Sequence, residues 1–279
     1  MSLIRGAIPS IMFLLLTATL PEARAQDMPA PEAAGEQHKT ALEKKDWRIF
    51  GGVGTVISPK YPGSKSYNFT PIPFGEIRYK GRFFLNPYYG LGARFARFEL
   101  GEGHELSLST SFRYAFGSRE EDERADFAGL GDVDGSVEWM VFGDYQLGDF
   151  NVGMEFSQGL NSSGHGGLRG TLSFEYGRRL FKFYDVQGGP FITWADNKYT
   201  RAYFGVTEEQ AAASSFDQYE AGAGFHKAGF KVNVITFFTP RIGVYVLGLY
   251  SHLLNDAAHS PLIETRDEAT VLAGIAYKF

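Results

Sequence analysis

Asp256, His259 and Ser260 hold the residue types of a nucleophilic triad on one short stretch, and Ser162, Ser163 and His165 make a second such set. A triad is defined by a hydroxyl–imidazole–carboxylate geometry, which neighbours on a single loop seldom reach. Both stretches therefore read as polar loop. Asp132-Val133-Asp134-Gly135 begins like a calcium loop. The further oxygen ligands do not follow at the required spacing, so a turn leading into a strand is expected. Gly51-Gly52-Val53-Gly54 lies inside an alternating run and lacks the spacing of a phosphate-binding loop. Glycine there would serve curvature. The chain has no Cys, which removes thiol chemistry, disulfides and an acylated N-terminal cysteine. No catalytic centre, cofactor site or metal site is expected.

A second set of residues could do electrostatic work. Arg113, Glu138, Asp144, Glu155, Arg169, Glu175 and Arg178 carry both signs and are assigned to the polar faces of neighbouring runs. Opposite charges facing each other across strands can pair. Glu155, Arg169 and Glu175 are the expected heart of a charge network inside a barrel. The plain reading is that they make a polar interior; the sharper one is that they select a solute.

The elements that must carry these charges are strands. In Leu168 to Arg178, Leu168, Leu172, Phe174 and Tyr176 share one face, while Arg169, Thr171, Ser173 and Glu175 take the other. Successive side chains of a strand point to opposite faces, so this is period-two amphipathicity. Leu106 to Phe116 repeats it, with Leu106, Leu108, Phe112 and Tyr114 opposed by Ser107, Ser109, Ser111 and Arg113. Val152, Met154 and Phe156 alternate in a third run, and Val137, Trp139, Val141 and Tyr145 in a fourth, although Met140 and Phe142 blur its polar face. Val271, Ala273, Ile275, Tyr277 and Phe279 close the chain on one face.

Aromatics make up 15% of the residues, yet the mean hydropathy is −0.19. No segment after the N-terminus is a helix-length apolar run. A chain that crosses lipid without such helices must pair its backbone between strands in a closed barrel. Half of each strand is then polar, which keeps average hydropathy near neutral. A soluble lipocalin-like barrel or β-sandwich would alternate in the same way, with the apolar face turned inward. The number of runs, the aromatic load and the aromatic C-terminus count against it.

At the N-terminus, Arg5 precedes an apolar stretch from Ile8 to Leu20, and Ala23-Arg24-Ala25 offers a cleavage site. Residues 1–25 are expected to be a secretory signal, too short in its apolar run for a spanning helix. Residues 26–45 are rich in Pro, Ala and charge and cannot build a core, so a flexible periplasmic tail is expected before a barrel over 46–279. The net charge of −5 becomes one unit more negative without the signal. That balance argues against a nucleic-acid partner.

Lys80-Gly81, Gly148-Asp149 and Thr239-Pro240 read as tight turns, whereas residues 58–68, 118–131, 197–218 and 255–267 read as long loops. Short turns at one end and long loops at the other are the pattern of an outer-membrane barrel. An even strand count requires a split near Asn86-Pro87, because Pro lacks the amide a central strand needs. That gives about twelve strands, with ten as the alternative. Thr207 and Gln210 have capping-box spacing ahead of Ala211 to Ala213, which predicts a helical turn in the third long loop.

Several segments together resemble one family. They are the Gly129-to-Asp134 run with Asp132, Trp194-Ala195-Asp196, Tyr203-Phe204-Gly205-Val206-Thr207, and the Leu253-to-Leu262 stretch that holds Asp256, Ser260 and Pro261. The Tyr277-Lys278-Phe279 end is similar to the aromatic strand that the barrel assembly machinery recognises. The resemblance is to the MltA-interacting protein family, MipA/OmpV, over nearly all of the chain after Asp46. It implies an outer-membrane barrel in contact with outer-membrane lipids and lipopolysaccharide. It further implies a non-enzymatic scaffold joining a lytic transglycosylase to a peptidoglycan synthase. A narrow uptake pore and a surface adhesin are the other roles it suggests. It supplies no active site.

Overall fold

The fold is described from a computed structural model, over residues 46–115, 119–161, 164–180 and 184–279. The expected signal and tail lie outside the described residues. Twelve antiparallel strands close into one barrel, each paired with its chain neighbours and the first with the last. They are β1 (Trp47–Pro59), β2 (Tyr67–Tyr79), β3 (Phe83–Asn86), β4 (Gly90–Gly101), β5 (His104–Ala115), β6 (Ser136–Leu147), β7 (Phe150–Gly159), β8 (Leu168–Leu180), β9 (Tyr184–Ala195), β10 (Gly224–Phe237), β11 (Ile242–Leu253) and β12 (Asp267–Lys278). The expected count of twelve stands, and the alternative of ten falls away.

Alternation decides which way each side chain points. Phe112, Val137, Met154, Phe174, Tyr250 and Val271 are exposed on the outer wall, and their chain neighbours are buried inside. A wall of this kind fits lipid, since lipid-facing and lumen-facing residues alternate along every strand. Among the described residues, no helix is long and apolar enough to cross a membrane.

The split at Asn86-Pro87 has a structural reason. Asn86 ends β3, and its side-chain oxygen accepts from the amides of Tyr88 (3.0 Å) and Tyr89 (2.7 Å), which bends the chain into a tight return. That return packs Tyr89 against Phe84, Met140 and Phe142 inside the barrel. Met140 and Phe142, which blurred the polar face of their run, are therefore inward apolar residues that receive the β3–β4 hairpin.

The shortness of β3 leaves its mark on β2. Only Ile77, Arg78 and Tyr79 of β2 pair with β3, while all of β2 pairs with β1. Lys80 N donates to Asp46 O, and Lys60 N donates to Ser66 O. Counting along the ladder from either end, the nitrogens of Pro71 and Pro73 point away from β1, toward the side where β3 has already stopped. Proline has no amide to lose there, which is where a sheet tolerates it. Inward from this edge, Phe74 lies against Gly274 of β12, where a Cβ would come within 2.5 Å of the ring. The glycines of β1 and β12 thus leave room for an aromatic ring inside the wall.

The connections between β1 and β2, β5 and β6, β7 and β8, β9 and β10, and β11 and β12 gather at one end. Among the described residues, three α-helices lie in them, α1 (Asn197–Phe204), α2 (Glu208–Ala213) and α3 (Asn255–His259), with two 3-10 turns at Glu121–Glu123 and Ala125–Phe127. The predicted capping box at Thr207 and Gln210 is present and starts α2.

Met154 stands mid-way along β7 on the outer wall. Met154→Arg should lower the unfolding free energy in lipid vesicles by about 2–4 kcal/mol, the cost of a cation on a lipid face near the bilayer midplane. Denaturant titration followed by tryptophan fluorescence measures it.

Candidate functional site

Burial forces the inward charges to find partners, because an unpaired charge in a low-dielectric interior is costly. Arg113 on β5 faces Glu138 on β6 in direct register. Its Nε donates to Glu138 Oε2 at 2.7 Å, and its Nη1 donates to the Tyr88 carbonyl at 3.1 Å. The other oxygen of Glu138 lies 2.8 Å from His165 Nε2, while His165 Nδ1 accepts from the Gly167 amide at 3.1 Å. This assigns the proton to Nε2, because Nδ1 is already an acceptor. The Tyr88 hydroxyl donates to Glu155 at 2.8 Å. Arg169 lies 3.9 Å from Glu155 and donates to Ser157 Oγ at 3.2 Å. Across the intervening strand β9, Lys231 of β10 pairs with Glu175 of β8 at 2.8 Å, with both side chains almost wholly buried.

Asp144 lines the same region, beside Tyr88, Glu155 and Lys231, around a cavity of about 20 Å³. That is roughly the room one water needs. Arg178 is the exception. It has the parity of Leu172, Phe174 and Tyr176 and is exposed on the outer face near the end of β8. Its assignment to the inner face is corrected, because a strand's period of two fixes its side. Sequence reasoning overlooked Lys231, whose signal is one cation alternating with Phe230, Val232 and Val234. It also missed His165 as the bridge from a loop to Glu138.

Over the network sits a cap of loops. Tyr199, Tyr203 and Phe204 of α1 pack with Val133, Ala195, Ala221, Leu253, Ala257 and Ala258 into a buried cluster at the mouth. Tyr199 lies against His165 and His226, with ring centroids 5.1 and 5.3 Å away. The guanidinium of Arg169 stands 5.7 Å from the Tyr199 ring.

The motif residues hold this cap together. Asp196 caps α1 by accepting from Tyr199 N at 2.9 Å. Trp194 precedes it at the upper end of β9, half-buried, and Gly205 ends α1 by donating to Arg201 O. Asp256 accepts from Gly222 N at 2.7 Å, and Ser260 Oγ donates to Phe204 O at 2.7 Å, with Pro261 next to it. Gly129, at φ +92°, lets its backbone touch Ala213 at the end of α2. Asp132 accepts from Glu121 N at 2.8 Å, and Asp134 is exposed.

The triad-like sets do not assemble. Ser260 Oγ is committed to Phe204, His259 Nδ1 lies 2.7 Å from Asn255 O, and Asp256 is spent on Gly222. His165 uses both nitrogens elsewhere, and Ser162 and Ser163 lie outside the described residues. No metal-holding cluster of His, Cys, Asp and Glu occurs among the described residues. At the C-terminus, Phe279 N donates to Ile49 O at 3.1 Å and its ring meets Tyr277 edge-on at 4.8 Å, so the terminal aromatics sit at the seam of β12 and β1.

The family model described as MltA-interacting protein MipA matches residues 51–279. The chain is 26% identical over 207 residues to the outer membrane protein OmpV of Vibrio cholerae, covering 72% of this chain and 76% of that protein. It is 25% identical over 189 residues to the outer membrane protein Omp26La of Vibrio anguillarum, covering 66% and 70%. Among solved structures, the outer-membrane-expressed OmpT of Vibrio cholerae aligns with a TM-score of 0.33 at 8% identity, over 85% of this chain and 99% of that one.

Lys231→Met leaves Glu175 buried without its cation. It should destabilise the barrel by about 3–5 kcal/mol, the usual cost of breaking a buried pair from one side. Lys231→Met combined with Glu175→Leu should recover most of that loss. Unfolding in lipid vesicles measures both, and equal destabilisation of the single and double variants would show the pair to be energetically idle.

Proposed function

The chain belongs to the MltA-interacting protein family, and from that premise we propose that it is a sealed, non-enzymatic outer-membrane barrel that scaffolds murein-remodelling enzymes at its periplasmic face. The observation that carries the sealed part is the interior. Arg113, Glu138, Glu155, Arg169, Glu175 and Lys231 are all buried inside the wall, from its middle up to its capped end, and the aromatic cap of α1 lies over them. Side chains locked to each other in this way leave little free charge to select a passing solute.

The partner reading is supported by the family's description, which names an interaction with a lytic transglycosylase, and by the short turns at the end opposite the cap. Lys80-Gly81, Gly148-Asp149 and Thr239-Pro240 all lie there, with Lys80 and Gly81 both at positive φ in a tight hairpin. Such turns present a rigid rim. A peptidoglycan synthase would be the second enzyme held there. The chain reaches this rim exported by its N-terminal signal, with residues 26–45 as an additional tether. A narrow uptake channel is the competing reading, and the filled interior weighs against it.

A photoreactive residue placed at Asp149 or Pro240 in living cells should crosslink to a lytic transglycosylase, and one placed at Glu208 in the opposite loops should not. Absence of any murein enzyme among the adducts of both rim positions would refute the scaffold. In planar bilayers the purified protein should show no steady conductance; solute-selective steps altered by Arg169→Glu would favour the channel instead.

A further inference from the structure

At the capped end, a cleft of about 670 Å³ opens outward between the β5–β6 loop, the β7–β8 loop and helices α1 and α2. Lining it is a guanidinium two of whose nitrogens meet no hydrogen-bond partner among the described residues. Arg119 is only 4% exposed, and its Nε and Nη1 are buried with no hydrogen bond. Leaving such donors unmet costs about as much as losing charged hydrogen bonds outright, so the arrangement asks for an acceptor from outside.

The carboxylates around Arg119 do not supply it. Glu121 accepts from the amides of Gly129 and Gly131, Glu123 from the amide of Glu120, and Asp132 from the amide of Glu121. These three carboxylates accept from the loop's own backbone. Burial pulls the Arg119 pKa down from its ordinary value, while Tyr203, Asp132, Glu123 and Glu121 pull it back up. A guanidinium remains protonated through such shifts. At the rim, Lys198 adds an exposed cation and Arg201 adds a second, paired with Glu220. The floor is His165, already tied to Glu138 below.

The shape and lining limit the ligand's body. The volume falls in the range of small-molecule sites and is far more than one oxyanion fills. Among the described residues, Val133, Leu160 and Ala202 are the aliphatic side chains that line it; amide and charged side chains, His165, the Thr207 hydroxyl and glycine backbone form the rest. A hydroxylated body suits this lining better than an apolar one. We propose that the cleft binds an acidic sugar, with a phosphate or carboxylate held by the Arg119 guanidinium and sugar hydroxyls against Asp132, Gln158 and Thr207. An Arg fork matches the planar or tetrahedral oxygens of such groups. The sugar could arrive as a free solute or as the phosphorylated headgroup of a glycolipid in the outer leaflet, since both present the same chemistry.

The test uses the full barrel in detergent freed of lipopolysaccharide, titrated calorimetrically with glucose 6-phosphate and, separately, with glucose. Glucose 6-phosphate should bind saturably and at least about 10-fold more tightly than glucose, the ratio that one charge-assisted interaction confers. Arg119→Gln should lose about 10-fold or more. Asp132→Asn removes a competing negative charge and should tighten binding a few-fold, a change of opposite sign that mere unfolding cannot produce. Retention of the fast-migrating form on unheated gels verifies that each variant is folded. Competition by vesicles containing lipopolysaccharide assigns the sugar to a lipid headgroup, and lack of competition assigns it to a soluble source; either result keeps the oxyanion site. No saturable binding by the folded protein, equal binding of glucose, or unchanged binding by folded Arg119→Gln would each overturn it.

Discussion

A strand in hydrocarbon has no water to satisfy its amides and carbonyls, so each must meet a neighbouring strand. Every other feature of this protein follows from that requirement. It closes β1 onto β12, fixes which side chains face lipid and which face inward, and sends every charge of the wall to the interior or the ends. Where the β2–β3 ladder stops early, the sequence supplies residues that need it least. Pro71 and Pro73 direct their amide-less nitrogens to the side that β3 does not reach. The edge is blunted by chemistry instead of by another strand.

Once the charges point inward, they are forced into company. The barrel brings them together. It sets Arg113 opposite Glu138, ties Tyr88 to Glu155 and reaches Lys231 across to Glu175. Buried pairs of this kind contribute little net stability compared with apolar packing, yet losing one partner is severe. Their value is therefore specificity: they hold the β3–β4 hairpin, the wall and the His165 loop in one arrangement. The apolar counterpart is the cluster of Val56, Tyr245, Leu247 and Leu272, against which Phe74 and Ile72 pack. The interior is thus divided between a charged side and a greasy side.

Much of this was legible in the sequence because a period of two is a strong signal. The runs around Leu106, Val152, Leu172 and Val271 gave both the strands and the faces, and Asn86-Pro87 gave the split that makes the count even. Arg178 shows the cost of leaving the rule: it sits after Tyr176 by two positions and so belongs outside with it. The cap was far less readable. Asp196 as the N-cap of α1, and the packing of Tyr199 and Tyr203 on His165, depend on loops distant in sequence meeting at the mouth. Local spacing revealed only the capping box of α2, since a cap bond needs nothing beyond its own turn. Arg119 gave no signal at all. Its isolation is a property of where its neighbours' carboxylates point, which only the folded loops decide.

The cap also explains why closure and an outward cleft occur together. The loops over the mouth must pack apolar residues downward onto the barrel: Tyr199, Phe204 and Ala257 do so. Their upward surface is then left polar, and their acids are consumed by exposed loop amides that no strand can satisfy. A basic residue buried between two such loops is left without an acid by this economy. The apolar underside of the cap and the polar cleft above it are accordingly two sides of one packing solution, with His165 bonded to Glu138 below and lining the cleft above. Occupancy of the cleft would bear directly on the residue that locks the loop to the charge network.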